Sequence, residues 1–148
     1  MRHYILAITA FLFLSVSPSY ANDLTEAQVP AAVQKSVKDK YPSADKISWE
    51  KSGEYFQAEF KIDRQKEVEM LLDAKGNIIK IYEDIDQSEL PKLILNKIQS
   101  SFPDYKLDDI EKITKDGSLI YKVELKKGQE EKTVHYNGNG ELINQVYE

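Results

Sequence analysis

A helix ending written twice restricts this chain more than any other feature. "VQKSVKDKYP" at 33–42 and "ILNKIQSSFP" at 94–103 share one plan: apolar residues four apart, then an aromatic residue, then proline. Val29 corresponds to Leu90, Pro30 to Pro91, Val33 to Ile94, Val37 to Ile98, Tyr41 to Phe102 and Pro42 to Pro103, always 61 positions apart. Apolar residues at every fourth position form one stripe along an α-helix. The spacing predicts helices over 29–41 and 90–102. Pro30 and Pro91 stand near the starts, where a missing N–H costs nothing. Thr25 with Gln28, and Ser88, are the expected N-caps. Pro42 and Pro103 stop each helix, turning the preceding aromatic back over the core.

After each helix the period changes to two. "KISWE" sets Ile47 and Trp49 on one face, and "EYFQAEFKI" alternates Phe56, Ala58, Phe60 and Ile62 against Tyr55, Gln57, Glu59 and Lys61. "EVEMLL" places Val68, Met70 and Leu72 opposite Glu67, Glu69 and Leu71; in "NIIKIYE" Ile79 and Ile81 face inward. The second half repeats the order, with strands near 110–115, 119–126, 131–136 and 142–147. Such alternation belongs to antiparallel strands with one packed face and one wet face. "SGE", "DAKGN", "KDGS", "KKGQ" and "NGNGE" are the turns, each with a glycine for the positive φ of a tight hairpin. The expected fold class is α+β: two tandem repeats of one helix plus about four antiparallel strands, helices packed on one face of a shared sheet. A single such unit buries little, so the two sheets are expected to join edge to edge.

"MRHYILAITAFLFLSVSPSYA" carries Arg2, an apolar run from Tyr4 to Leu14, and Ser19 and Ala21 as a small-x-small pair. The run is too short to span a bilayer and reads as a secretory signal peptide cleaved near Ala21. The expected organisation is 1–21 leader, 22–84 first repeat and 85–148 second repeat, the repeats forming one compact domain. Without Arg2, 19 basic residues face 25 acidic ones, a net charge of −6. That balance disfavours nucleic acid, which needs a basic patch. No second apolar run follows, so no membrane association is expected after cleavage. Cysteine is absent, which excludes disulfides, thiol nucleophiles and cysteine metal sites. With His3 in the leader, His135 is the one histidine of the mature chain.

The segments "VPAAVQKSVKDKYPSADKISWE", "EYFQAEF" and "LLDAKGNIIKI", matched by "ELPKLILNKIQSSFPDYKLDDIEK", "IYKVELKKG" and "VHYNGNGELI", resemble the PepSY-like family of exported bacterial proteins. That family is described as similar to β-lactamase-inhibitor protein, and the resemblance covers essentially the whole mature chain. It implies an α+β fold of two helix-plus-sheet repeats, a periplasmic or secreted location, and no catalytic residues. In β-lactamase-inhibitor protein the curved outer sheet face grips a partner enzyme.

An EF-hand loop begun at Asp73 fails, with Lys75 at its third position and Asp84 at its twelfth, so "DAKGN" and "NGNGE" read as hairpin turns. Glu59, Glu67 and Glu69 read as a solvated charged face, Trp49 as core, and His135 as a surface or rim residue that makes neither a metal site nor a triad alone. The outward Tyr55, Leu71, Ile78 and Tyr82 have the composition of a protein interface, with Glu59, Glu69 and Lys80 at its rim. The expectation is an exported non-enzymatic binding module, an inhibitor or regulator of a periplasmic or extracellular protein, with no cofactor, metal or catalytic residue. A periplasmic small-ligand or envelope-stress binding protein is the alternative.

Overall fold

The computed structural model describes residues 22–63 and 65–147; the leader expected over 1–21 lies outside them. Strand β1 (Asn22–Leu24) and a 3-10 turn (Glu26–Gln28) lead into helix α1 (Ala31–Lys40). Strands β2 (Ser48–Ser52), β3 (Tyr55–Ile62), β4 (Lys66–Leu72) and β5 (Ile78–Asp84) follow. Helix α2 (Lys92–Ser101) then precedes β6 (Lys106–Lys115), β7 (Ser118–Lys127), β8 (Glu130–Asn137) and β9 (Leu142–Tyr147). The strands form one nine-stranded sheet in chain order, every neighbour antiparallel. The two halves join through the β5–β6 ladder. Strand β1, which pairs with β2, is not in the sequence expectation, because three residues are too few to display a period.

The helix starts differ from the expectation. Pro30 and Pro91 are themselves the N-cap residues, and neither has a side-chain cap bond. Thr25 caps the preceding 3-10 turn instead, its backbone N–H donating to Gln28 Oε1 at 2.8 Å. The counterpart 61 residues on is Asp86 with Glu89, the Asp86 N–H donating to Glu89 Oε2 at 3.0 Å. The expected cap at Ser88 is therefore replaced by an Asp-x-x-Glu pair, whose longer carboxylate reaches back to the open N–H. The stops match closely. Tyr41 and Phe102 donate their N–H groups to Val37 and Ile98 at 2.8 Å, and Ala44 and Tyr105 donate to Tyr41 and Phe102 at 3.0 and 3.1 Å. Tyr41 packs edge-on against Phe60, with ring centres 5.2 Å apart.

Each helix covers its own part of the sheet. Val33 and Val37 join Trp49, Phe56, Ala58, Met70 and Ile81 in one apolar cluster. Ile94 and Ile98 join Ile110, Tyr121, Val123 and Val134 in another. Register places both clusters on the same sheet face: Val68 lies across from Glu83, Glu83 from Lys112 and Lys112 from Tyr121. Between the clusters, Glu83 accepts the Tyr41 hydroxyl at 2.7 Å and pairs with Lys112 at 2.5 Å. Burial and Glu83 push the Tyr41 hydroxyl well above its ordinary range. The opposite sheet face carries no helix among the described residues.

Candidate functional site

The face without helices is built by the residues that alternate with the core. Because Phe56, Ala58 and Phe60 point to the helices, Tyr55, Gln57 and Glu59 point away; the same parity turns Glu67, Glu69 and Leu71 outward on β4. Register then aligns Glu59, Glu69, Tyr82, Ile113 and Ile120 in one line across five strands. A neighbouring line runs Gln57, Leu71, Lys80 and Lys115. Glu59, Glu69, Leu71, Lys80 and Tyr82 are thus neighbours on β3, β4 and β5.

Two of the sequence-predicted residues lie apart from these. Tyr55 sits beside Ser52 at the β2–β3 hairpin end, where Glu54 raises its hydroxyl pKa. Ile78 is displaced by a register shift between Leu71 and Leu72, which sets it opposite Leu72, a residue of the helix-covered core. Strict alternation does not carry across this irregularity, and Ile78 is exposed and outside the core cluster.

The second repeat supplies residues that alternation within the first could not identify. Ile113 is only 6% exposed yet belongs to neither core cluster, so its neighbours on the outer face close over it. Ile110 and Ile113 have opposite parity on one strand, which is the signal that they serve different faces. The hairpin that carries them is also longer: Trp49 and its partner Ala58 are nine positions apart, whereas Ile110 and its partner Val123 are thirteen apart.

Charge on this face is unevenly balanced. Glu59 and Glu69 are direct cross-strand neighbours, an arrangement in which like charges repel. Burial, then Glu59 and Glu111, raise the Glu69 carboxyl above the ordinary carboxylate range, opposed by Lys80. Lys80 lies over the Tyr82 ring, with Nζ 4.3 Å from its centre, and donates to the Tyr82 hydroxyl. Further along, Lys122 pairs with Glu111 at 3.3 Å and Glu124 at 3.0 Å. Burial and Lys122 hold His135 below its ordinary pKa, and its Nδ1 is buried without a hydrogen-bond partner. Its cross-strand neighbours are Lys122 and Asn144, neither of them a hydroxyl that a histidine base would activate.

Asp84, Asp109 and Glu111 bring three carboxylates within 4.8 Å of one another, with Lys122 neutralising part of that charge at Glu111. The two glycine turns use their acceptors internally. Asp73 Oδ1 accepts from the N–H groups of Lys75 at 2.8 Å and Asn77 at 2.9 Å. Asn137 Oδ1 accepts in the same way from Asn139 and Glu141. These oxygens hold hairpins.

The sequence pattern of the family described as "Putative beta-lactamase-inhibitor-like, PepSY-like" matches this chain twice, over residues 17–80 and 81–144. The chain belongs to the PepSY-like family. Three solved structures share the fold of this PepSY-like protein. A DUF2874 family protein from Bacteroides uniformis is 20% identical, with 80% of this chain and 89% of that one covered and a TM-score of 0.69. One of the "putative periplasmic proteins" from Bacteroides eggerthii is 19% identical, covering 80% and 88%, with a TM-score of 0.70. A "BLIP-like protein" from Bacteroides fragilis is 25% identical, covering 80% and 86%, with a TM-score of 0.66. Among curated proteins none matches the chain.

Proposed function

We propose that this PepSY-like protein is an exported, non-catalytic binding module that holds a protein partner against its outer sheet face. The observation that carries this reading is the line of partly exposed Tyr82 and Ile120 on either side of the buried Ile113, with Leu71 beside it, on the face opposite both helices. An antiparallel sheet with one free face ordinarily turns polar side chains to water there. Aromatic and aliphatic groups held at fixed spacing by a nine-stranded ladder instead offer contact area at small entropic cost. Family membership supports the reading through the inhibitor-like description. Export is supported by the leader-like segment at 1–21 and by the periplasmic description of the B. eggerthii relative.

The test is the combined change Leu71→Ser and Tyr82→Ser. Both groups lie outside the two core clusters, so the far-ultraviolet circular dichroism and the melting curve are expected to stay close to those of the parent. A stoichiometric complex formed in native envelope extract is expected to weaken about tenfold, about 1.4 kcal/mol, with a hydrogen-exchange footprint on β4 to β7. A footprint on the helices, or a complex unchanged in the stable variant, would overturn the proposal.

A further inference from the structure

The outer face also indicates what kind of partner it fits, an inference that rests on the binding role above. Glu59 and Glu69 oppose each other directly across β3 and β4. Neither forms an ion pair within 4 Å among the described residues, although Lys61, Lys66, Lys112, Lys122, Lys126 and Lys127 all do. A like-charge cross-strand pair weakens a sheet, and nothing in the packing of β3 on β4 requires it. Such a local conflict is expected where a chain keeps a site for something else. The neighbour across the next ladder, Tyr82, presents an aromatic ring already covered by a cation, that of Lys80. Two carboxylates and a tyrosine ring side by side are complementary to one chemical group, an alkylammonium or guanidinium. Beyond them the line runs over the buried Ile113 to Ile120, which is partly exposed apolar surface.

We propose that the outer face receives an extended, lysine- or arginine-bearing segment of a partner protein. Its cation sits between Glu59 and Glu69 beside the Tyr82 ring, and its apolar side chains lie against Ile120, beyond the buried Ile113. Lys80 is the resident stand-in for that cation and is displaced from the ring when the segment binds. Relief of the Glu59–Glu69 repulsion then adds to the binding free energy, and the interaction is salt-sensitive because it pairs charges on a partly exposed surface.

The experiment uses short synthetic peptides as probes: lysine alternating with leucine, the same peptide with every lysine acetylated, and glutamate alternating with leucine, with spermine as a further probe. Binding is followed by calorimetry and by amide shifts of the isotopically labelled protein. The lysine peptide is expected to shift amides around Glu59, Glu69, Tyr82 and Ile113, and to bind at least about tenfold more tightly than its acetylated counterpart. The glutamate peptide is expected not to bind there. Glu69→Gln is expected to weaken the lysine peptide about fivefold, and Lys80→Met to tighten it about threefold by freeing the ring.

Equal affinity of lysine and acetylated peptides at this face would overturn the cationic assignment and leave the binding face standing. Neither peptide shifting these amides would overturn both. A weaker complex with Lys80→Met would make Lys80 a contact instead of a stand-in and overturn the proposed seat. Spermine binding as tightly as the peptide would assign the site to a free polyamine and overturn the polypeptide partner.

Discussion

Glu69 is a single side chain that bears on stability and on the proposed binding role. Its carboxyl is raised above the ordinary range by burial and by Glu59 and Glu111, so the folded chain holds that proton more tightly than the unfolded chain. Stability therefore falls as pH rises from the ordinary carboxylate range through the higher pKa of Glu69. Glu69→Gln is expected to melt at a higher temperature than the parent at neutral pH, with the gain disappearing in acid below the ordinary range. Melting curves across that range check it; a variant destabilised at neutral pH would mean that the carboxylate is held by a favourable partner. The sequence shows Glu59 and Glu69 as outward residues but not as opposed ones, since cross-strand register depends on the length and geometry of the hairpin between them.

At the scale of elements, turns and helices are coupled through close backbone approach. Gly76, with φ of +83°, stands where an added Cβ would lie 2.5 Å from the Ala32 carbonyl oxygen and 2.7 Å from Ser36 Oγ on α1. Gly140 occupies the matching turn of the second repeat, and its added Cβ would meet Leu93 at 3.0 Å. Gly53 also has positive φ but has nothing within 4 Å. Gly53→Ala is expected to cost about 1 kcal/mol for left-handed backbone alone, and Gly76→Ala at least about 2 kcal/mol, because the turn must also retreat from α1. Chemical denaturation of the two variants measures the difference; equal costs would show that the turn moves away from α1 freely. All five predicted turns hold a glycine at positive φ, so turn positions were legible from local chemistry. That one of them is wedged beneath a helix was not, because Ala32 and Gly76 are distant in sequence and meet only through packing.

At the scale of the whole molecule, the two apolar clusters share one continuous sheet, and the Tyr41–Glu83–Lys112 contacts cross the boundary between the repeats. Such a joint favours unfolding as one unit. Trp49, the one tryptophan of the chain, is buried in the first cluster and reports on that half alone, whereas circular dichroism reports on both. Ile98→Ala, in the second cluster, is expected to cost about 2 to 4 kcal/mol and to shift the fluorescence and dichroism transitions together. A fluorescence transition left in place would show two independently unfolding repeats.

What the sequence determined by itself is whatever depends on neighbours a few positions away. The apolar stripes set both helices to within two residues of their observed ends, the aromatic–proline stops set their exits, and period-two patterning with glycine turns set eight of the nine strands and their helix-facing side. The tertiary structure alone decided which outward residues meet. The β5–β6 ladder pairs Tyr82 with Ile113, and the register shift at Leu71/Leu72 takes Ile78 away from them. Helix stripes and tight turns are local minima of short segments. The alignment of Glu59, Glu69, Tyr82, Ile113 and Ile120 needs four successive strand registers, each fixed by hydrogen bonding and core packing over the whole sheet.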